Sequence, residues 1–233
     1  MSSDLGIEAM IERLRATYEA RLAESGLTPE QHEAAILAAE DRARIESAHQ
    51  AEAEARRSVV ARFGHRLSDR ARQALADGSL LPTPALDAVS RWLAARKRPV
   101  LVLTGGVGAG KTLAALWALT RVPGDLVPAR ELARRHDPWG EDRQAGVKPL
   151  GLRHRLLVLD DLGTEREDAR FMPALEDVLD SRQSGVRTLI TTNIKPKDIR
   201  ARYGDRFADR LREVATSVQV ETQSMRGGGH AGQ

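Results

Sequence analysis

Hydrophobic residues in the first part of the chain recur at helical spacing. Apolar side chains at steps of three and four predict a helix over residues 7–22. A Thr-Pro-Glu-Gln sequence at 28–31 has the capping-box pattern and predicts a second helix that continues to Phe63. Over residues 38–58 this helix has little apolar surface to bury, so its charged face is either simply solvated or used for docking.

Two shorter helices are predicted before residue 98. The first is rich in arginine and covers residues 68–77. The second begins at Thr83-Pro84 and places Val89 and Trp92 on one apolar side, which we expect to lean on the following domain.

The pattern changes at Pro99, where short apolar runs begin to alternate with helical segments. The apolar runs are Val100–Leu103, Leu156–Leu159, Thr188–Thr191 and Val214–Val220. This alternation predicts an α/β fold in which a parallel sheet is flanked by crossover helices. We therefore expect a helical N-terminal region over residues 1–98, an α/β domain over 99–226 and a flexible tail over 227–233.

Charge is distributed unevenly along the chain. The formal net charge is +3, but residues 1–55 sum to −7, residues 56–98 to +7 and residues 99–233 to +3. The boundary between the second and third of these segments, at residue 98, coincides with the start of the α/β pattern. The acidic and basic parts of the N-terminal region are therefore separate candidate surfaces for partners.

Composition excludes several classes of protein. The chain has no cysteine and its six histidines lack ligand spacing, which argues against disulfides, iron–sulfur clusters and structural zinc. Aromatic residues make up 3%, too few for a base-stacking platform. With no apolar run near the ~20 residues that span a bilayer and no signal-peptide pattern, we expect a soluble cytoplasmic protein.

The clearest chemical motif lies directly after the first predicted strand. Residues 105–112 read GGVGAGKT and satisfy G-x-x-x-x-G-K-[ST] between a strand and a helix. In such a loop, Lys111 contacts the β- and γ-phosphates and Thr112 binds Mg²⁺. The residues expected to bind ATP are Gly105, Gly106, Val107, Gly108, Ala109, Gly110, Lys111, Thr112 and Leu113.

Two further predicted strands end in polar side chains. Asp160 and Asp161 follow Leu156–Leu159, so Asp160 is expected to orient Mg²⁺ and Asp161 to polarise the attacking water. Asn193 follows the next apolar run and is a candidate sensor of the γ-phosphate, although an asparagine at a strand end is commonly a turn residue.

Four segments together resemble a known family. They are residues 105–112, 156–165, 191–193 and 204–211, and in order and spacing they are similar to the DnaC-type bacterial helicase loaders and the related IstB-type transposition ATPases, both AAA+ proteins. The resemblance implies that Asp160 and Asp161 form the Walker B pair and that Asn193 is sensor 1. It also implies that Arg210 is the arginine finger, with Arg206 as a second candidate, and that Arg226 is the sensor-type arginine.

The resemblance also implies partners. An arginine finger acts on a neighbouring subunit's ATP, so self-association through the ATP sites is expected. The N-terminal region would contact a replicative hexameric helicase, and the AAA+ domain would bind single-stranded DNA. Because Asp161 stands where many AAA+ proteins have the longer glutamate, we expect slow hydrolysis. Candidate DNA contacts are residues 96–98 and the arginines Arg130, Arg134, Arg135 and Arg143.

Other functions remain open at this point. An IstB-type helper would use the same ATPase domain on duplex DNA with a transposase, and the core motifs do not separate it from a loader. A small-molecule kinase would need an arginine-rich lid with paired acidic residues after the Walker B region, which the sequence lacks. A nonenzymatic adaptor would bind nucleotide only to rigidify its fold.

Overall fold

The chain divides into two compact units, residues 1–51 and residues 52–233. The computed structural model describes residues 12–13, 16–17, 20, 26–95, 97–135, 154–165, 169–180 and 186–221. Most of the helix predicted over residues 7–22 lies outside these ranges, and so does the whole tail predicted over residues 227–233.

Helices make up most of the described residues. The α-helices are α1 (Pro29–Phe63), α2 (Asp69–Asp77), α3 (Pro84–Ala95), α4 (Lys111–Arg121), α5 (Ala129–Arg135), α6 (Phe171–Asp180) and α7 (Ile199–Val214). At the start of α1, Thr28 N donates to Gln31 Oε1 at 2.9 Å and Gln31 N donates to Thr28 Oγ1 at 3.3 Å, which confirms the predicted capping box. Within the described residues, no helix combines the length and apolar character needed to cross a membrane.

Five parallel strands form one sheet in the second unit. They are β1 (Val100–Thr104), β2 (Gly124–Pro128), β3 (Leu156–Leu162), β4 (Arg187–Thr192) and β5 (Ala215–Gln219). The sheet order is β2-β3-β4-β1-β5, so the predicted parallel α/β architecture is confirmed. β2 was not among the predicted strands. It is short, with Gly124 at its start and Pro128 at its end, and both residue types are unfavourable in strands.

Helices α2 and α3 belong to the same compact unit as the sheet. Their buried residues, which include Leu75, Val89 and Trp92, share one apolar core with α4 and one face of the sheet. Helices α2 and α3 cover a sheet face that would otherwise be exposed to water. The compact units divide at residue 51, and the domain boundary at residue 98 stays a prediction. The partner-binding role of the N-terminal region stays a prediction.

The opposite face of the sheet is covered by α5, α6 and α7, whose buried residues form a second apolar cluster with β1, β3 and β4. Because all strands are parallel, their carboxyl ends meet at one edge of the sheet. The loops after β1, β3 and β4, which carry the chemical motifs, are therefore brought to the same place.

Candidate nucleotide-binding site

The glycine-rich loop joins β1 to α4. Gly105 lies so close to the backbone of Val220 that a Cβ atom there would be 2.2 Å from the Val220 carbonyl oxygen. Gly110 precedes α4 as its N-cap with a φ of 77°, a left-handed conformation that glycine adopts without strain. The loop therefore reaches the N-terminus of α4, where backbone N–H groups favour anions.

Lys111 is the first residue of α4, and its side chain is buried. The Nζ ammonium donates three hydrogen bonds, each of 2.8 Å, to the carbonyl oxygens of Gly105 and Gly106 and to Asn193 Oδ1. Burial lowers the pKa of Lys111, and the nearby Asp161 and Asp160 carboxylates act in the opposite direction. A hydrogen bond thus connects Lys111, the predicted P-loop lysine after β1, to Asn193, the predicted sensor residue after the neighbouring strand β4.

Asp160 lies in the second half of β3 and is fully buried. Its Oδ1 atom accepts hydrogen bonds from Thr112 Oγ1 at 3.1 Å and from Thr191 Oγ1 at 2.6 Å. The two predicted Mg²⁺ ligands, Thr112 and Asp160, are therefore in direct contact. Thr191 also accepts a 2.9 Å hydrogen bond from the Asp161 backbone N–H, so one hydroxyl positions both carboxylate residues.

Asp161 has an unusual backbone conformation and an unusual carboxyl. Its φ of 61° is the only positive value at a non-glycine residue among the described residues, and the β3–β4 register shifts at this point. Burial raises the pKa of Asp161, the Asp160 charge raises it further, and Arg66, Lys111 and Arg130 partly offset these effects. A carboxylate with a raised pKa is a better proton acceptor than an ordinary aspartate.

An arginine from the N-terminal side of the chain also enters the site. Arg66 lies in the 3₁₀ turn Gly64–Arg66 that follows α1, and its Nε and Nη2 atoms donate to Asp160 Oδ2 at 3.2 and 2.9 Å. Arg66 Nη2 is also 3.7 Å from Asp161 Oδ2. Sequence reasoning missed this residue and the role of Thr191. No local signal marks Arg66, because 94 residues separate it from its partner.

The loop after β3 is fastened to α7. Glu165 Oε1 accepts hydrogen bonds from Tyr203 Oη at 2.8 Å and from Arg202 Nη2 at 2.9 Å, and Glu165 Oε2 accepts from the Gly163 N–H at 2.7 Å. Burial acts to raise the pKa of Glu165, but hydrogen bonds from its own backbone, Arg202, Tyr203 and Gly163 lower it below the ordinary value. This cluster holds the segment that carries Asp161.

The predicted arginine finger lies away from these residues. Arg210 on α7 pairs with Asp180 at 3.0 Å and with Glu213 at 2.9 Å. Arg206 is 82% exposed and lies 3.6 Å from Glu176. Both arginines line an open cleft of about 540 Å³ between α6 and α7. Arg226, the predicted sensor arginine, lies outside the described residues.

Three of the candidate DNA-contacting residues, Arg98, Arg134 and Arg135, have partners within the chain. Arg98 donates to the carbonyl oxygens of Arg212 and Ala215 at 2.8 and 2.5 Å. Arg135 pairs with Glu131 at 3.0 Å, and Arg134 lies 3.5 Å from the same carboxylate. Arg96 and Arg143 lie outside the described residues. DNA binding by these clusters stays a prediction, and Arg98 has a structural role at the end of α7.

The donor set fits a nucleotide phosphate and Mg²⁺. A threonine hydroxyl and a carboxylate supply the oxygen ligands that Mg²⁺ prefers, and substrate phosphates normally complete its coordination. In the part of the chain that the structure describes, no cluster of three or more acidic residues or histidines is suited to hold a metal by itself. Thr112 and Asp160 would hold Mg²⁺, and the loop with Lys111 would hold the phosphates.

Comparisons with known proteins identify the fold. No protein-family profile and no curated protein sequence matches the chain. The structure is similar to the crystal structure of the DnaC helicase loader, with a TM-score of 0.52 and 20% identity over 66% of this chain and 99% of that one. It is also similar to the crystal structure of DnaI, with a TM-score of 0.46 and 20% identity over 66% and 87% of the two chains. The chain therefore shares the fold of the DnaC helicase loader, and the resemblance to DnaC-type proteins is confirmed at the level of fold.

Proposed function

We propose that the chain is an ATP-dependent loader that binds a replicative hexameric helicase and delivers it onto single-stranded DNA. The observation that carries the proposal is the meeting of Lys111, Thr112, Asp160 and Asn193 at one edge of the sheet. This is the arrangement that a P-loop ATPase needs. The fold shared with the DnaC helicase loader supports the choice of loading among ATP-dependent functions.

The site's own residues account for binding of the triphosphate. The backbone N–H groups of residues 105–112 and the Lys111 ammonium would hold the phosphates, while Thr191 keeps Asp160 oriented beside Thr112. Mg²⁺, when bound, neutralises phosphate charge and aligns the β- and γ-phosphates. Because Asp160 is fully buried and accepts hydrogen bonds from α4 and from β4, its geometry is preorganised.

Hydrolysis would depend on Asp161 and Asn193. The Asp161 carboxylate is 44% exposed and can accept a hydrogen bond from the water that attacks the γ-phosphorus. Asn193 shares a hydrogen bond with Lys111, so a change at the phosphates is transmitted to the end of β4. Asp161 is one methylene shorter than glutamate, and this supports a slow hydrolytic step that times release.

The first compact unit is proposed to hold the helicase. Over residues 29–51, α1 leaves the apolar side chains of Ile36, Leu37 and Ile45 exposed by 45, 56 and 54%. Exposed aliphatic residues on an acidic helix are suited to docking with a partner that has apolar and basic groups. This unit is therefore the part of the chain whose removal should abolish helicase binding without affecting nucleotide binding.

Reconstitution with purified components tests the loader. We expect the Asp161→Asn variant in ATP to form a stable complex with the hexameric helicase from the same replication system, and to favour single-stranded over duplex DNA. Lys111→Ala should fail to form this complex, whereas Lys197→Ala, a change at an exposed lysine, should behave as the wild type. ATP-dependent filaments on duplex DNA, with no helicase binding, would contradict loading and favour the transposition helper.

The finger assignment predicts a result in mixed assemblies. Arg210→Ala should bind ATP normally, because Arg210 pairs with Asp180 and Glu213 in its own chain. It should lose most of its turnover, because the finger completes a neighbouring subunit's site. Mixing Arg210→Ala subunits with Lys111→Ala subunits should restore part of the turnover, since an intact site can then face an intact arginine. Phosphate release is the measurement. Full activity of Arg210→Ala alone would contradict the assignment, and loss of turnover in Arg206→Ala instead would favour the second candidate.

A further inference from the structure

We propose that Arg66 is a positioning residue that competes with Mg²⁺ for Asp160, so that binding of Mg²⁺ with ATP releases the turn between α1 and α2. The inference rests on the proposed nucleotide site. Arg66 would then connect the nucleotide site to the turn that follows α1.

The Asp160 carboxylate has its hydrogen-bonding capacity filled by the protein. Thr112 and Thr191 donate to Oδ1, and the Nε and Nη2 atoms of Arg66 both donate to Oδ2. An ionised carboxylate offers about four lone-pair positions. A cation that engages Asp160, directly or through a bound water, must therefore replace one of these four donors.

Arg66 is the donor best placed to leave. Thr191 is buried in the neighbouring strand, and its 2.6 Å hydrogen bond is the shortest of the four. Thr112 belongs to the P-loop motif, and its hydroxyl can donate to Asp160 while it still offers lone pairs to a metal. Arg66 comes from outside the sheet, from a turn of three residues, and its positive charge repels Mg²⁺ at short range.

Release of Arg66 would disturb the junction between two helices. Leu67 N donates to the Gly64 carbonyl across the turn, and Ser68 caps the first turn of α2 through the Ala71 N–H. Gly64 is packed so tightly that a Cβ atom there would lie 3.0 Å from the side chain of Arg72 in α2. Movement of the Arg66 backbone would therefore disturb this junction, where α1 ends and α2 begins.

The Mg²⁺ dependence of nucleotide binding tests the competition. Binding of a fluorescent N-methylanthraniloyl-ATP to the full chain is titrated over a range of Mg²⁺ concentrations for the wild type, Arg66→Gln and Arg62→Gln. We expect Arg66→Gln to lower the half-saturating Mg²⁺ concentration roughly tenfold, because a positive charge beside the metal site is removed. Arg62→Gln, four residues earlier in α1, removes an exposed arginine paired with Asp125 and should leave the concentration unchanged.

The outcomes separate this inference from the proposed function. Nucleotide binding with the same Mg²⁺ dependence in all three proteins would overturn the competition and leave the ATPase proposal intact. A higher Mg²⁺ requirement in Arg66→Gln would also overturn it, since Arg66 would then assist binding. Failure of the wild type to bind nucleotide at any Mg²⁺ concentration would overturn the proposed function and this inference with it.

A second measurement needs no variant, so it is independent of any folding defect caused by Arg66→Gln. Hydrogen exchange of the wild type is compared with nucleotide in Mg²⁺ and with nucleotide in EDTA. We expect faster exchange in Mg²⁺ for the amides of Leu67, Ala71 and Arg72, whose hydrogen bonds define the turn and the start of α2. Unchanged or slower exchange at these amides would overturn the proposed release.

Discussion

At the scale of single residues, Asp161 has both a left-handed backbone conformation and a carboxyl group with a raised pKa. Aspartate and asparagine tolerate a positive φ better than other non-glycine residues, because their short polar side chains can bond locally. Burial and the neighbouring Asp160 charge both raise the pKa of the Asp161 carboxyl group. The backbone thus restricts which residue can stand here, and the charge determines what that residue can do.

Asp161→Asn should separate binding from turnover. Asparagine suits the left-handed backbone, so we expect nucleotide affinity to change little, while ATP hydrolysis falls about 100-fold because the proton-accepting carboxylate is lost. Phosphate release and nucleotide titration measure the two effects. Asp161→Ala is the comparison, and it should lose about 1–2 kcal/mol of stability in addition because alanine does not suit a positive φ. Near-normal turnover in Asp161→Asn would exclude Asp161 as the proton acceptor.

The same substitution has a pH-dependent effect on stability. A carboxyl whose pKa is raised by folding binds its proton more readily in the native state, so the wild type loses stability as pH rises from the ordinary value of 3.8 through the raised pKa. We therefore expect Asp161→Asn to melt at or above the wild-type temperature at pH 7. The difference should shrink towards pH 4, as melting curves across this range can show. A lower melting temperature for the variant at pH 7 would contradict the raised pKa.

The residues that could be predicted from sequence are those whose chemistry is local. Lys111 and Thr112 lie within one contiguous motif, and Asp160 follows an apolar strand, so spacing alone indicated their roles. The roles of Arg66 and Thr191 depend on tertiary contacts. Arg66 stands at a helix end where an arginine is ordinary, and Thr191 is one hydroxyl in a β-strand. Their partners become evident only when the strands are assembled.

At the scale of elements, Glu165 connects the end of β3 to α7. Its side chain is 7% exposed, and the partners Arg202 and Tyr203 lie on the first part of α7, before the kink at Gly204. The connection fixes the segment that follows Asp161. It also attaches the end of β3 that carries Asp161 to the helix that carries the candidate arginine finger.

Removing the Glu165 charge should loosen this connection. We expect Glu165→Gln to destabilise the chain by about 1–3 kcal/mol at pH 7, because hydrogen bonds to a buried charged group are weakened. The Glu165 pKa is lowered in the folded state, so its contribution is present above the ordinary value of 4.5 and disappears as pH falls through the lowered pKa. Denaturant unfolding at pH 7 and pH 3.5 measures the change. Glu54→Gln, on the exposed face of α1, is the control. Equal stabilities of the wild type and Glu165→Gln at pH 7 would contradict a stabilising connection through Glu165.

The elements themselves were largely predictable. The core runs of β1, β3 and β4 read as continuous apolar segments because both faces of a parallel sheet are buried. β5 was also predicted, as a run from Val214 to Val220, although much of it is exposed. β2 was not predicted because only Leu126 and Val127 give it an apolar character. Its position is determined by pairing with β3, which no local pattern reveals.

At the scale of the whole molecule, the helices before the sheet are part of its core. Leu75, Ala85 and Val89 are fully buried and Trp92 is 5% exposed. Burying one large apolar side chain contributes about 1.5–3 kcal/mol, and a domain's net stability is about 5–15 kcal/mol. Loss of α2 and α3 therefore removes a stabilisation by apolar burial that is comparable to the whole net stability of the domain.

Truncation should distinguish the two candidate boundaries. We expect residues 52–233 to fold and to unfold cooperatively, whereas residues 99–233 should aggregate or lack a cooperative transition because one sheet face is exposed. Thermal unfolding and near-ultraviolet circular dichroism are the measurements. Nucleotide binding by residues 52–233 would further show that the site does not need residues 1–51. A stable, cooperative 99–233 fragment would support the boundary at residue 98.

The position of β1 has a consequence for synthesis of the chain. Its five buried residues pair with β4 on one side and with β5 on the other. β4 lies roughly 90 residues later, so at about 5–20 residues per second the apolar strand leaves the ribosome on the order of 5 to 20 seconds before its first partner strand. During that interval the strand cannot bury itself in its own sheet, and the nascent chain is most exposed to aggregation and to capture by chaperones.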